Sequence, residues 1–339
     1  MTHLTYAEAM LVGLVQGVTE LFPISSLGHN VLIPALIGGS WAQDLNVSAP
    51  ESPYLAFIVG MHVATALALI AYFWRDWLRI VGGLLSSLRE RRIATADQRL
   101  AWMIVLATIP VGIAGLALEH LFRVLFSKPV PTALFLAANG VILLAGERRQ
   151  RRSQQDAPRA TPAMAAQGAS APANGHPALP SRPASGAAEG TRRADEGRPG
   201  EDGEAIAADR RLSAMGLGNA VLIGSAQILA LLPGISRDGV VTVTGMFRGI
   251  PRQDAVRYSF LLSAPVILAA GVLKVPDLAG PLGNGIRGQV LAGSLLSGVG
   301  AYLSVSFLVR YFAKDRSLTP FGIYCLAAGL GSLAYLLLR

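Results

Sequence analysis

The sequence is poor in three things that most soluble proteins use freely. It has one cysteine, Cys325, so no intrachain disulfide can form, which excludes the disulfide-stapled secreted scaffolds. Only 15% of its 339 residues are charged, where a soluble domain carries about 25%. The first ten residues contain no Lys or Arg, so no secretory signal peptide is expected. What is abundant is apolar: 52% hydrophobic residues and a mean hydropathy of +0.46. A net charge of +8 on so apolar a chain reads as positive cytoplasmic loops rather than a nucleic-acid surface. No basic folded domain is present to support a nucleic-acid partner.

Spans of about 20 apolar residues are the signature of transmembrane helices. Six stand out: Tyr54–Trp74, Leu100–Leu118, Pro131–Gly146, Tyr258–Val275, Val290–Phe312 and Pro320–Leu338. Two further apolar stretches, Tyr6–Gly38 and Leu217–Ile250, are interrupted by Pro23-Ile24-Ser25-Ser26-Leu27-Gly28-His29 and by Pro233-Gly234-Ile235-Ser236-Arg237-Asp238-Gly239. Neither half of either stretch is long enough to span. Broken helices at membrane depth are tolerated where the loop lines a protein cavity, so both are expected to be re-entrant helix–loop–helix hairpins.

The two broken stretches also match each other at a constant offset. Gly13, Gln16, Leu21, Ile24, Ser25, Gly28 and Gly38 recur as Gly224, Gln227, Leu232, Ile235, Ser236, Gly239 and Gly249. This argues for an internal duplication, each copy holding one hairpin and three spans. Three is odd, so the second copy must be inverted. The expected fold is an all-α integral membrane protein with six transmembrane helices and two re-entrant hairpins in two inverted-topology repeats. Residues 1–146 form the first repeat and 213–339 the second. Residues 147–212, with 11 Arg against 9 acids and almost no large apolar residues, read as a disordered cytoplasmic linker. The Arg-rich loops Arg75–Arg99 and Arg310–Arg316 place those turns in the cytoplasm by the positive-inside rule, and six crossings then leave both termini outside.

Ionisable groups inside a membrane are costly and therefore functional candidates. The first hairpin offers Gln16, Glu20, Ser25, Ser26 and His29; the second offers Ser236, Arg237 and Asp238. A half-helix starting after each break aims free N–H groups and a positive dipole end at the loop. Arg supplies a planar fork for phosphate oxygens. Ser and His three or four residues apart suit a nucleophile–base pair, and Glu20 suits a divalent cation. The cluster fits an anionic phosphate headgroup on an apolar tail. Plainer readings stand beside these: Ser25 and Ser236 as helix N-caps, Glu20 and Arg237 as a structural ion pair, His29 as a core histidine. His62 reads as a packed or pore-facing polar residue.

Gln16-Gly-Val-Thr-Glu20 followed by Leu-Phe-Pro-Ile-Ser-Ser-Leu-Gly-His29 resembles the first signature of the undecaprenyl-diphosphate phosphatase family, the bacitracin-resistance type. Pro233-Gly-Ile-Ser-Arg237 resembles its second signature. The resemblance implies a hydrolase of the plasma membrane. It removes the terminal phosphate of undecaprenyl diphosphate at an active site open to the outer face, with a divalent cation (Mg2+ or Ca2+). It also implies Ser26 as nucleophile, His29 as general acid or base, Glu20 as metal ligand or positioning group, and Arg237 as diphosphate clamp. Gln16, Ser25, Ser236 and the Gly234 backbone would bind substrate. Asp238, standing where the family commonly has Ser, becomes a second candidate metal ligand. Cys325 stands where an Arg is common, and Val241 where many members carry Thr. Expected partners are the polyprenyl diphosphate lipid and membrane lipids; a homodimer is an open expectation. Inverted repeats with broken helices are also a transporter architecture, so a flippase of the monophosphate carrier is the alternative. A flippase needs Arg237 but no nucleophile.

Overall fold

The computed structural model describes residues 4–45, 53–126, 128–156, 201–280 and 285–338. Among these the chain is helical throughout. The first broken stretch forms α1 (Tyr6–Leu21) and α2 (Ser26–Ile37), followed by the short α3 (Gly39–Asp44). Then come α4 (Pro53–Tyr72), α5 (Trp74–Glu90), α6 (Ala96–Phe126) and α7 (Pro129–Asp156). Beyond residue 200 lie α8 (Glu201–Ser213) and α9 (Leu217–Ser225), which passes directly into a 3₁₀ turn, Ala226–Leu231. The chain ends with α10 (Arg237–Phe247), α11 (Arg252–Ala279), α12 (Arg287–Ala313) and α13 (Thr319–Leu338).

Among the described residues, five helices are long and apolar enough to cross a membrane: Ala96–Leu118, Pro129–Arg152, Arg252–Leu273, Arg287–Ala313 and Thr319–Leu338. α4 contributes a shorter apolar stretch, Gly60–Tyr72. This is a multi-pass, all-α membrane protein. Its outward faces carry stripes such as Leu291, Leu295, Val299 and Leu303 on α12, all exposed from the protein. That arrangement suits a lipid solvent.

Each break has a local cause. Thr5 opens α1 with a capping box, its hydroxyl accepting from Glu8 N–H while the Glu8 carboxylate accepts from Thr5 N–H at 2.8 Å. Pro23 lacks the N–H a continuing helix needs, and the chain reopens as α2 only after Ser25. There Ser25 Oγ accepts from Gly28 N–H at 3.2 Å. Ser236 does the same for Gly239 N–H, also at 3.2 Å, to open α10. Each cap contributes about 1 kcal/mol to its helix.

In lipid, helices associate through close packing rather than the hydrophobic effect, so small residues mark the contacts. α1 crosses α12 on Gly13 and Gly17. A Cβ at either would come within 2.2 Å of a carbonyl oxygen, that of Gly293 or of Ser297. This crossing fixes the face of α1 that carries Gln16 and Glu20. α7 packs along α13, α4 lies against both α11 and α12, and α9 lies against α6.

Both ends of the expected linker, 147–212, lie in helices. α7 continues to Asp156 and α8 begins at Glu201; residues 157–200 lie outside the described residues. Both ends of the segment are tied down by charge. Glu147 is buried, accepting from Arg252 Nη2 at 2.9 Å and from Leu318 N–H at 3.1 Å. Asp209 on α8 is buried between Arg79 at 2.8 Å and Arg257 at 2.9 Å. Burial opposes the Arg79 charge, but the Asp209 and Asp76 carboxylates hold its pKa above the ordinary arginine value. Arg252 also meets Asp315 at 2.6 Å. The segments flanking α5, α7, α8, α11 and α12 thus share one ion-paired layer.

Candidate active site

The two breaks lie against each other. Ser25 Oγ, besides capping α2, accepts from Gly234 N–H at 3.1 Å. Gly28 and Gly234 pass so closely that a Cβ on Gly28 would sit 3.0 Å from Gly234 Cα. Gly234 has φ 110°, a conformation other residues rarely adopt. Ser25 itself has φ 68°, an unusual conformation for a residue with a Cβ. Asn139 on α7 completes the bond between the loops. Its Nδ2 donates to the Pro23 carbonyl at 3.0 Å, and its Oδ1 accepts from Ser236 N–H at 3.0 Å. It is fully buried.

This brace brings the first residue of each half-helix to one carboxylate. Ser26 opens α2 and donates its hydroxyl hydrogen to Glu20 Oε2. Arg237 opens α10 and donates through Nη2 to Glu20 Oε1. Gln16, one turn before Glu20 on α1, donates to Oε2 at 2.8 Å. Asn30 on α2 donates to Gln16 Oε1 at 2.5 Å, fixing the Gln16 amide. His62 on α4 stands with Nε2 3.3 Å from Glu20 Oε2 and 3.3 Å from Gln16 Nε2. Its Nδ1 faces the Ile58 carbonyl at 2.8 Å, and a carbonyl only accepts, so Nδ1 carries a hydrogen.

A cavity of about 140 Å³ opens onto these groups. Glu20, Ser25, Ser26 and Leu27 line it from the first hairpin, and Gln227, Ile235, Ser236 and Arg237 from the second. Val111 of α6 and Val266 of α11 add apolar walls, and His62 reaches it from α4. Arg237 Nε is buried with no hydrogen-bond partner.

A model of the family described as Bacitracin resistance protein BacA matches residues 9–169 and 194–331. The chain belongs to this family. It is 57% identical over 337 residues to an undecaprenyl-diphosphatase of Mycolicibacterium paratuberculosis, covering 99% of each chain. It is 54% identical to undecaprenyl-diphosphatase 2 of Frankia alni over 97% of each chain, and 36% identical to undecaprenyl-diphosphatase 2 of Chromobacterium violaceum over 97% of this chain and 98% of that one.

Of the residues singled out in this member of the BacA family, Gln16, Glu20, Ser26 and Arg237 meet directly. Ser25, Ser236 and Gly234 form the frame behind them. His29 does not join them. The expected Ser26–His29 pair is not made. His29 Nδ1 turns back to the Ser25 carbonyl at 2.7 Å, and Nε2 meets the Tyr324 hydroxyl at 2.7 Å, the rings stacked 5.8 Å apart. The Ser26 proton points to Glu20 instead. Of the two candidate metal ligands, Glu20 lines the cavity and Asp238 does not. Asp238 Oδ1 accepts from Ser263 at 2.7 Å, and Asp238 is absent from the cavity wall. Sequence reasoning missed Asn139 and underrated His62. No local pattern marks either, because each acts on residues far along the chain.

Proposed function

We propose that this chain is a membrane phosphatase that hydrolyses undecaprenyl diphosphate to undecaprenyl phosphate and inorganic phosphate. The observation that carries this reading is the Glu20 carboxylate holding the Ser26 hydroxyl on one oxygen and the Arg237 guanidinium on the other. A carboxylate accepting a serine proton is a base beside a nucleophile. Ser26 Oγ attacks the terminal phosphorus as Glu20 takes its proton. Arg237, with its unpartnered Nε–H, neutralises charge on the phosphoryl oxygens as the bond to the carrier phosphate breaks. Both half-helices begin at the cavity, so their positive dipole ends add to the attraction for a diphosphate. The apolar wall suits the first units of the prenyl chain.

The divalent cation that the resemblance implies finds no cage among these side chains. Both Glu20 oxygens are occupied by donors, and the described residues hold no group of three His, Cys, Asp or Glu placed for a metal.

The finer architecture we infer is six crossings and two re-entrant hairpins in inverted repeats. Exchange of the halves pairs α1 with α9, α4 with α11, α6 with α12 and α7 with α13. It turns the α1–α12 contact into α9–α6 and leaves α4–α11 and α7–α13 as self-pairs. That pattern supports a two-fold relation. The Arg-rich segments meeting in one ion-paired layer support a single cytoplasmic side. From the resemblance we infer the plasma membrane and an active site open to its outer face.

Phosphate release from undecaprenyl diphosphate by the purified protein tests the reaction. Ser26→Ala is expected to lower turnover by about 10³-fold or more. Turnover near wild type in that variant would overturn the serine nucleophile.

A further inference from the structure

Gln227 is the one glutamine of the second hairpin and the repeat mate of Gln16, yet the two are used differently. Gln16 has partners on both amide ends. Gln227, in the 3₁₀ turn and 1% exposed, donates through Nε2 to the Gly224 carbonyl at 3.1 Å. Its Oε1 has no partner. Turning the amide over would set its oxygen against the Gly224 carbonyl, so the donor fixes which end is free. Leaving a buried acceptor unpaired costs about 1–3 kcal/mol. Gln227 lines the cavity that Ser26, Glu20 and Arg237 also line, on the wall the second hairpin supplies. The space is large enough for a water molecule.

We propose that Gln227 Oε1 holds the water that frees phosphate from Ser26; this rests on Ser26 being the nucleophile. In the first half of the reaction, the Oγ–P bond forms and the P–O bond to the carrier phosphate breaks. The Ser26 proton passes through Glu20 to the departing undecaprenyl phosphate. In the second half, water attacks phosphorus from the cavity side, in line with Oγ. The water–phosphorus bond forms, Oγ–P breaks, and the water's proton passes through Glu20 back to Ser26. The Gln227 carbonyl accepts a hydrogen bond from that water and orients it; it carries no proton itself. An amide orienting a water for attack on phosphorus is a recurrent device in phosphoryl transfer.

The test uses the full chain and undecaprenyl diphosphate labelled on its terminal phosphate, with acid quench and counting of protein-bound label. Gln227→Leu and Gln227→Met keep the bulk and remove the acceptor. Each is expected to lower steady-state phosphate release by about 100-fold while label accumulates on the enzyme, which also reports that the variant is folded. Adding Ser26→Ala to either is expected to remove the label. Turnover near wild type in either glutamine variant, or lost turnover without label while Ser26→Ala alone is inactive, would overturn the water role. Full activity in Ser26→Ala alone would instead overturn the serine reading on which it rests.

Discussion

The two hairpins start from similar sequences and end in different jobs. At the shared offset, Ser25 and Ser236 are both N-caps, and Gly28 and Gly239 both give them an N–H at 3.2 Å. One residue on, the copies diverge: Ser26 in the first, Arg237 in the second. Both are the opening residue of a half-helix and both reach Glu20. Glu20 itself corresponds to the apolar Leu231. The two loops offer similar cradles with free N–H groups and positive dipole ends; one holds a hydroxyl beside a carboxylate and the other a cation. The caps also differ under their shared chemistry. Ser236 sits in ordinary extended backbone at φ −87°, whereas Ser25 is held at φ 68°. Such a conformation costs about 1–3 kcal/mol and persists only where the surroundings enforce it. Here they do, because Ser25 Oγ accepts two N–H groups, one from each hairpin.

The comparison predicts an ordering of effects. Arg237→Ala empties the cation cradle and is expected to lower kcat/KM by about 10³-fold. Arg237→Lys keeps the charge but not the fork and should recover only part of that. Full recovery would mean that charge alone distinguishes the second hairpin. Next is the brace between them. Asn139→Leu removes the bonds to Pro23 and Ser236, and a loosened geometry is expected to lower kcat by about 10- to 100-fold. Thermal unfolding of the same variant in detergent should show a loss of about 2–4 kcal/mol from the buried groups left unpaired. The smallest effects separate the two caps. Ser236→Ala should destabilise by about 1 kcal/mol and Ser25→Ala by about 2, since the latter loses two acceptor contacts. Equal losses in denaturant unfolding would show that the Ser25–Gly234 bond contributes nothing.

Much of this was written locally and could be read. Pro, Gly and Ser interrupt the two apolar stretches where the helices break, because those residues change backbone geometry on their own. Gln16 and Glu20 share a face by helical spacing alone. Ser26 and Arg237 were legible through the motifs that carry them. What could not be read depends on which distant helix arrives. His62 is an isolated histidine in an apolar run until α4 sets it 3.3 Å from Glu20. Asn139 gains its role only because Pro23 and Ser236 meet beside α7. His29 misled for the opposite reason. Its spacing from Ser26 fits a nucleophile–base pair, but the ring turns to Tyr324, a residue 295 positions away. The linker ends misled because average composition hides single ion pairs. Glu147 and Asp209 are ordered by Arg252, Arg79 and Arg257, none of which lies in the segment.

Both hairpins meet at one carboxylate, that of Glu20. Glu20→Gln tests this most directly, since it keeps the shape of the side chain while removing its charge and basicity and turning one acceptor oxygen into an amide donor. The measurement is steady-state phosphate release from undecaprenyl diphosphate by the folded variant across pH. The expected result is a fall in kcat of at least about 10³-fold at every pH. A kcat within a few-fold of wild type would contradict it.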